Sequence, residues 1–180
     1  MHGAPSPLFR SNTEAVVESA RLGPVLDLAC GRGRHAIAAA ELGLPVVAID
    51  RNPEHLATLA RFEPVGGGAI ETVCADLETP AEPPLRAGRF GSVLVFHYLH
   101  RPLMPWIEAL LAPGGLLLYE TFTRAQRELA WGPSREEFLL APGELPTLFP
   151  NLNIEQYSEG RTNETRPSET GRLRARRPRD

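Results

Sequence analysis

Asp27 stands inside VLDLACGRGRHA, residues 25 to 36, with apolar neighbours on both sides and a pair of glycines just beyond it. The run opens as a buried strand, turns at Gly31 and Gly33, and passes into an Ala-rich segment, Gly33 to Leu42, of strong helix propensity that ends at Gly43. In an open α/β sheet, a turn of this kind lies beyond the carboxyl end of a strand, where ligands bind. Gly31 lets the chain turn sharply, Gly33 lets backbone approach a ligand, and the helix that follows offers unpaired N–H groups. The spacing Gly31-x-Gly33-x-x-Ala36 also satisfies the relaxed dinucleotide-binding pattern, so glycine spacing alone leaves the ligand open.

The carboxylate separates the alternatives. A dinucleotide phosphate is anionic and Asp27 would repel it, which disfavours a nicotinamide-dependent oxidoreductase. A cationic ligand reverses the sign, and S-adenosylmethionine carries both a sulfonium and an ammonium. The structural alternative is that Asp27 pairs with backbone N–H groups or with Arg32 and touches no ligand. Asp50 ends a second β-branched run, 19 positions after Gly31, where it can accept from both hydroxyls of an adenosine ribose or simply cap the next helix. Asp76, after a third strand, can accept from an adenine amino group while Leu77 gives backbone and apolar contact; a solvated loop acid is the alternative.

Methyl transfer needs a positioned nucleophile, exclusion of water and, for an acceptor that must lose a proton, a base. The exit of the fourth strand, Phe96-His97-Tyr98-Leu99-His100-Arg101, offers imidazoles, and His97 and Tyr98 are the candidates for that base. His100 and Arg101 are substrate candidates, or residues that lead into a helix before Pro102. Glu120, at the end of the fifth strand, is a third substrate candidate; buried there it needs a partner, for which Arg124 and Arg127 are the local choices. Trp131 and Phe138 can close a hydrophobic lid, with core packing the alternative for Phe138.

The elements that must hold these groups follow from periodicity. A first helix spans Thr13 to Leu22 behind Ser11 and Asn12 as caps. Strands are predicted at Val25–Ala29, Pro45–Ile49, Ala69–Cys74, Phe90–Phe96, Leu116–Thr121 and Asn153–Ser158, and helices at Glu54–Phe62, behind Asn52-Pro53, at Leu103–Leu111 and at Pro142–Phe149. Pro113-Gly114-Gly115 reads as the turn closing the helix before it, and residues 122 to 140 as a loop able to cover a site. In Gly171–Arg177 the arginines alternate with Leu173 and Ala175, as in a final edge strand with a wet face. Strands alternating with helices imply a mainly parallel sheet covered on both faces, an α/β fold.

With 180 residues the chain is read as a single domain, with an N-terminal segment and helix (1–22), a core (23–160) and an Arg-rich segment (161–180). All 19 basic residues are Arg, so lysine chemistry is excluded, and the formal net charge of −3 gives no global pull toward nucleic acid or anionic lipid. Residues 161 to 180 do hold seven Arg against three acids, which raises RNA as a substrate, but no aromatic platform accompanies them. No stretch has the form of a secretory signal or reaches the roughly 18 apolar residues of a spanning helix. Cys30 and Cys74 lack zinc-ligand spacing, no metal site is expected, and both read as reduced thiols in a cytoplasmic protein.

Taken in order, VLDLACGRGRHA, VVAIDRN, CADLE, HYLHRPL, LAPGGLLLYETF and FLLAPGEL resemble the class I S-adenosylmethionine-dependent methyltransferases, within which they are similar to small bacterial enzymes of the tellurite-resistance type. The resemblance covers residues 20 to 160. It implies a Rossmann-like, mostly parallel seven-stranded sheet whose last strand is antiparallel. It also implies S-adenosylmethionine as cofactor, with Asp27 and the Gly31/Gly33 turn around the methionine part, Asp50 on the ribose and Asp76 near adenine; Ala29, Arg51, Leu77 and Phe96 complete the set. The expected acceptor is a small molecule, an oxyanion or thiol, with an RNA methyltransferase and a non-catalytic cofactor-binding module as alternatives; the expected state is a monomer or homodimer. The sequence departs from the subfamily at His97, where Asn is usual, and at Arg135-Glu136, where Asn-Pro is usual. Both departures fall where substrate is expected.

Overall fold

The computed structural model describes residues 3–79, 84–162 and 166–179; residues 1–2 of the N-terminal segment, and 163–165 and 180 of the Arg-rich segment, lie outside the described residues. Period-2 apolar runs become seven strands: β1 (Val25–Leu28), β2 (Pro45–Asp50), β3 (Ala69–Cys74), β4 (Phe90–Phe96), β5 (Leu111–Phe122), β6 (Asn153–Arg161) and β7 (Glu169–Arg176). They form one sheet in the order β3-β2-β1-β4-β5-β7-β6, with β7 antiparallel to both its neighbours and the pairs from β3 to β5 parallel. The helices are α1 (Pro7–Arg10), α2 (Thr13–Ser19), α3 (Arg34–Glu41), α4 (Pro53–Leu59), α5 (Met104–Leu110) and α6 (Glu144–Thr147). No helix among the described residues is long and apolar enough to cross a membrane.

Strand alternation divides the core in two. Leu26, Leu28, Val47, Ile49, Val93, Val95, Leu117 and Tyr119 pack on one face with Ile107 and Leu110 of α5. Val25, Val46, Ala48, Leu94, Leu116 and Leu118 pack on the other with Val16 of α2 and the small residues Ala36, Ala39 and Ala40 of α3. Asp27 shares the face of Val25, so its side chain is directed at α3; Glu120 shares the face of Leu118.

Several expectations are corrected. Gly171–Arg177 is not an edge strand: β7 lies inside the sheet and β6 forms the edge. Its arginine face is covered, with Arg174 donating to Asn12 Oδ1 (2.9 Å) and pairing with Glu155 (2.6 Å), and Arg176 donating to Ser19 Oγ (3.1 Å). Alternation reads the same for a wet face and for one filled by long arginine stems beneath a helix. Asn12 therefore does not cap α2 through its side chain. Pro113-Gly114-Gly115 lies within β5 at an irregularity in its register against β4. A helix missing from the pattern reading, α1, is started by Ser6, whose hydroxyl accepts from the Leu8 N–H at 3.0 Å, and by Pro7.

The interior position of β7 has a measurable consequence. Leu173 is fully buried, so Leu173→Ala is expected to cost about 2–5 kcal/mol in urea unfolding. A loss below about 1 kcal/mol would contradict the packing of Leu173 in the core.

Candidate active site

The turn after β1 is built on left-handed backbone at Ala29 (φ 53°), Gly31 (φ 56°) and Gly33 (φ 75°). Gly33 has no room for a side chain, because a Cβ there would come within 2.6 Å of Leu59. Asp50 fastens this turn to the end of β2: Oδ2 accepts from the Gly31 N–H at 2.8 Å and Oδ1 from the Asn52 N–H at 2.9 Å. The cap of α4 is Asn52, whose side chain accepts from the Glu54 and His55 N–H groups at 3.0 and 3.2 Å. Asp50 is thus free of the capping role and keeps further lone pairs for a ligand.

A cleft of about 550 Å³ opens at the carboxyl ends of the strands, lined by Ala29, Asp50, Arg51, Ala75, Asp76, Leu77, Glu78, His97 and Tyr98. Seven of the residues singled out from the sequence meet here, and Ala75 and Glu78 join them. Asp27, Gly31, Gly33 and Phe96 are not on its wall, nor are His100, Arg101 and Glu120. Three acids, Asp50, Asp76 and Glu78, and an arginine stand here beside apolar walls. Tyr98 supplies an independent sign of a ligand: its hydroxyl is buried and has no hydrogen-bond partner among the described residues. Its main chain is held in place, because the Tyr119 hydroxyl donates to the Tyr98 carbonyl at 2.8 Å.

Asp27 is only 2% exposed, and its Oδ2 accepts from the Ala36 N–H of α3 at 2.9 Å. Desolvation raises its pKa to about 7, against the opposing pull of the Ala36 N–H and the Arg34 charge. Asp27, in β1 against the first turn of α3, thus holds its carboxyl between its protonated and ionised forms near neutral pH.

The fourth-strand exit turns sharply. His97 has φ 58°, donates its N–H to the Glu120 carbonyl at 2.8 Å, and stacks on Phe122 at 4.5 Å between ring centres. The residue is exposed, yet desolvation where its ring packs on Phe122, and then Arg34, lower its pKa to about 4, so the ring is neutral at pH 7. Burial and the acids Glu78 and Asp76 push the Tyr98 phenol well up, leaving it a donor and unsuited to act as a base. The Cys30 thiol is likewise pushed up by burial and by Asp27 and Asp50.

The remaining candidates lie off the cleft wall. Arg101 pairs with Glu144 through Nε (2.6 Å) and Nη2 (2.9 Å) and donates to the carbonyls of Glu137 and Leu139 at 2.9 Å, tying residues 137–144 to the exit of β4. The His100 carbonyl accepts from the Leu103 N–H at 3.0 Å at the start of the next helical turn. Glu120 pairs with neither Arg124 nor Arg127, both of which bind Glu136. Instead, buried at 1% exposure, it accepts from the Ser6 hydroxyl and from Thr170 Oγ1 (3.3 Å), while the Ser6 N–H donates to His35 Nε2 at 3.1 Å. His35, stacked on Phe96 at 3.7 Å, is lowered to a pKa of about 2 by burial and remains neutral. This network escapes sequence reading because Ser6 and Glu120 are 114 positions apart; Ser6-Pro7 itself carries the helix-start signal. In the loop over residues 122–140, Trp131 meets Phe122 edge-on at 5.7 Å, bonds Pro167 O at 3.1 Å and carries Arg166 over its ring at 4.0 Å.

Residues 25–115 match the methyltransferase-domain family, half of the chain, and the chain belongs to that family. Its cofactor is S-adenosylmethionine and it is an S-adenosylmethionine-dependent methyltransferase. The fold is similar to that of a SAM-dependent methyltransferase from Methanosarcina mazei (TM-score 0.73, 16% identity, 99% of this chain and 100% of that one). It is also similar to TehB from Haemophilus influenzae (0.69, 20%, 91% of this chain and 62% of that one). A third likeness is to a structure from echinomycin biosynthesis, in which a disulfide bond is converted into a thioacetal group (0.70, 21%, 99% and 84%). No curated protein matches the chain in sequence.

Asp27 sets a pH-dependent cost. Its carboxyl has a pKa of about 7 in the fold against an ordinary value of 3.8, so the folded state is favoured below pH 3.8 and that advantage is lost as pH rises to 7. The charged form therefore costs on the order of 4 kcal/mol above pH 7. Asp27→Asn should raise Tm by several degrees at pH 8, with the gain vanishing near pH 4; an unchanged Tm at pH 8 contradicts the shift.

Proposed function

We propose that this methyltransferase acts on a small acceptor that reacts through a soft lone pair, a thiol or an oxyanion. The observation that supports this reading is the weakness of the nearby bases: His97 is neutral but only feebly basic, and Tyr98 and Cys30 hold their protons. An acceptor at this site must arrive already nucleophilic or ionise readily, because the protein offers little help in removing a tightly held proton.

When bound, S-adenosylmethionine supplies a methyl group on a sulfonium, which the acceptor lone pair displaces in line to leave S-adenosylhomocysteine. Asp50 and Asp76 take the adenosine, with Tyr98 donating to it from the wall of the cleft. Asp27 faces the cationic methionine end across the glycine turn. His97, between the cleft and Phe122, orients the acceptor and receives a proton from a thiol as its sulfur becomes methylated. Phe122, Trp131 and the loop around them exclude water on the acceptor side.

RNA fits less well. Of the β7 arginines that suggested it, Arg174 and Arg176 share Glu155 and donate to Asn12 and Ser19, so both are drawn into contacts within the fold.

The test is an acceptor panel read by S-adenosylhomocysteine release: low-molecular-weight thiols, inorganic selenite, unactivated alcohols and bulk tRNA. Turnover with thiol or selenite, and little with alcohols or tRNA, is expected; preferred turnover of tRNA overturns the acceptor class. In parallel, S-adenosylhomocysteine at 100 times its Kd should stabilise the protein by about 2.7 kcal/mol, a Tm rise of roughly 5–10 °C, with no rise from NAD.

A further inference from the structure

The end of the sheet opposite the cleft carries a second concentration of charge. Arg176 of β7 lies beside Leu116 of β5, Leu116 beside Ser92 of β4, and Ser92 beside Val25 of β1, a row that marks where the parallel strands begin. A cavity of about 410 Å³ opens there, lined by Glu18, Ser19, Arg21, Leu22, Arg176 and Arg179. Three guanidinium side chains thus share its wall with one carboxylate.

Gly114 positions two of the three. Its carbonyl accepts from Arg176 Nη1 at 3.1 Å, and its left-handed backbone (φ 80°) carries no Cβ where Arg179 lies, since one would come within 2.9 Å of Arg179 Nε. The Gly114 N–H donates to the Arg177 and Pro178 carbonyls at 3.0 and 3.3 Å, so the backbone leading to Arg179 is docked on the same turn. Arg176 is held further by Ser19 Oγ at 3.1 Å and by Glu155 at 3.1 Å, an acid it shares with Arg174. Arg21 comes from the 3-10 turn Ala20–Leu22 that follows α2. Arg21 and Arg179 are exposed, and neither makes a hydrogen bond or ion pair with a described residue.

Converging like charges repel, and a shared Glu155 with Glu18 leaves an excess of positive charge at the cavity. A tetrahedral oxyanion reverses that cost, because it can accept from several guanidinium forks at once. We propose that this cavity binds a phosphate group, as inorganic phosphate or as the phosphate of a small phosphomonoester, through Arg176, Arg179 and Arg21. The bound anion bridges the end of β7 to the turn after α2, at the other end of the sheet from His97. It therefore takes no part in methyl transfer, and the site stands independently of the acceptor class proposed above.

The experiment is calorimetric titration of wild type, Arg21→Gln, Arg179→Gln and Arg179→Lys with inorganic phosphate, glycerol 3-phosphate and glycerol. Arg176 is left intact because it also holds Ser19 and Gly114. Wild type should bind phosphate or its ester with a Kd near or below about 1 mM, and glycerol not at all; the tighter of the two identifies the source of the phosphate. Each Gln variant should lose about tenfold, the scale of one charge-assisted bond, with Arg179→Lys between wild type and Arg179→Gln. All variants should keep the wild-type affinity for S-adenosylhomocysteine and the wild-type turnover. Wild type that binds neither phosphate probe at about 10 mM, or Gln variants that bind as tightly as wild type, overturns the site. Displacement of phosphate by S-adenosylhomocysteine also overturns it, by placing the anion in the cleft. So does an RNA oligonucleotide that binds through Arg21 and Arg179 when neither small probe binds.

Discussion

A carboxylate buried at the end of a central strand is the constraint around which this site is arranged. Asp27 points at α3 because strand alternation directs it there, and the Ala36 N–H meets it in the first turn of that helix. One backbone bond does not replace the hydration a charged carboxylate loses, so the group sits between its protonated and ionised forms. A protein selected only for stability would place an apolar residue at this position, as β1 does on either side of it. The cost fits the proposed role of Asp27 toward a cation, whose charge would offset what the fold withholds.

The rest of the architecture serves that turn. Asp50 binds the Gly31 N–H and joins the ends of β1 and β2, while the lack of a Cβ at Gly33 lets Leu59 of α4 lie against it. Elsewhere, α1 is pinned over the sheet by Ser6 through Glu120 and His35, and Arg101 draws residues 137–144 toward the exit of β4. Tyr119 fixes Tyr98 from beneath. Side chains that look chemically reactive are thus used to hold backbone, and the groups left for ligand line the cleft or flank α3.

What was legible in the sequence was whatever local pattern dictates. The strands β3 and β4 coincide with their predicted spans, and Asp50 and Asp76 led to the cleft, because Asp50 ends β2, Asp76 follows β3, and parallel strands end on one side. Long-range pairing was not legible. Arg124 and Arg127 lie beside Glu120 in sequence, yet the carboxylate finds Ser6 and Thr170, since sheet geometry directs it to the face that α1 covers. The arginines of β7 read as a solvated edge because burial of their stems leaves the same alternation as exposure. That Tyr98 is a donor and His97 a weak base also depends on the surroundings of each ring, which spacing does not encode.

The proposed role of Asp27 requires a carboxyl that is partly protonated before ligand binds and is ionised by a cationic ligand. Titrating S-adenosylmethionine into the protein at pH 7, in buffers of different ionisation enthalpy, measures the protons exchanged on binding. A pKa near 7 predicts release of about half a proton per site, and none for Asp27→Asn. Binding with no net proton exchange between pH 6 and 8 would contradict the account.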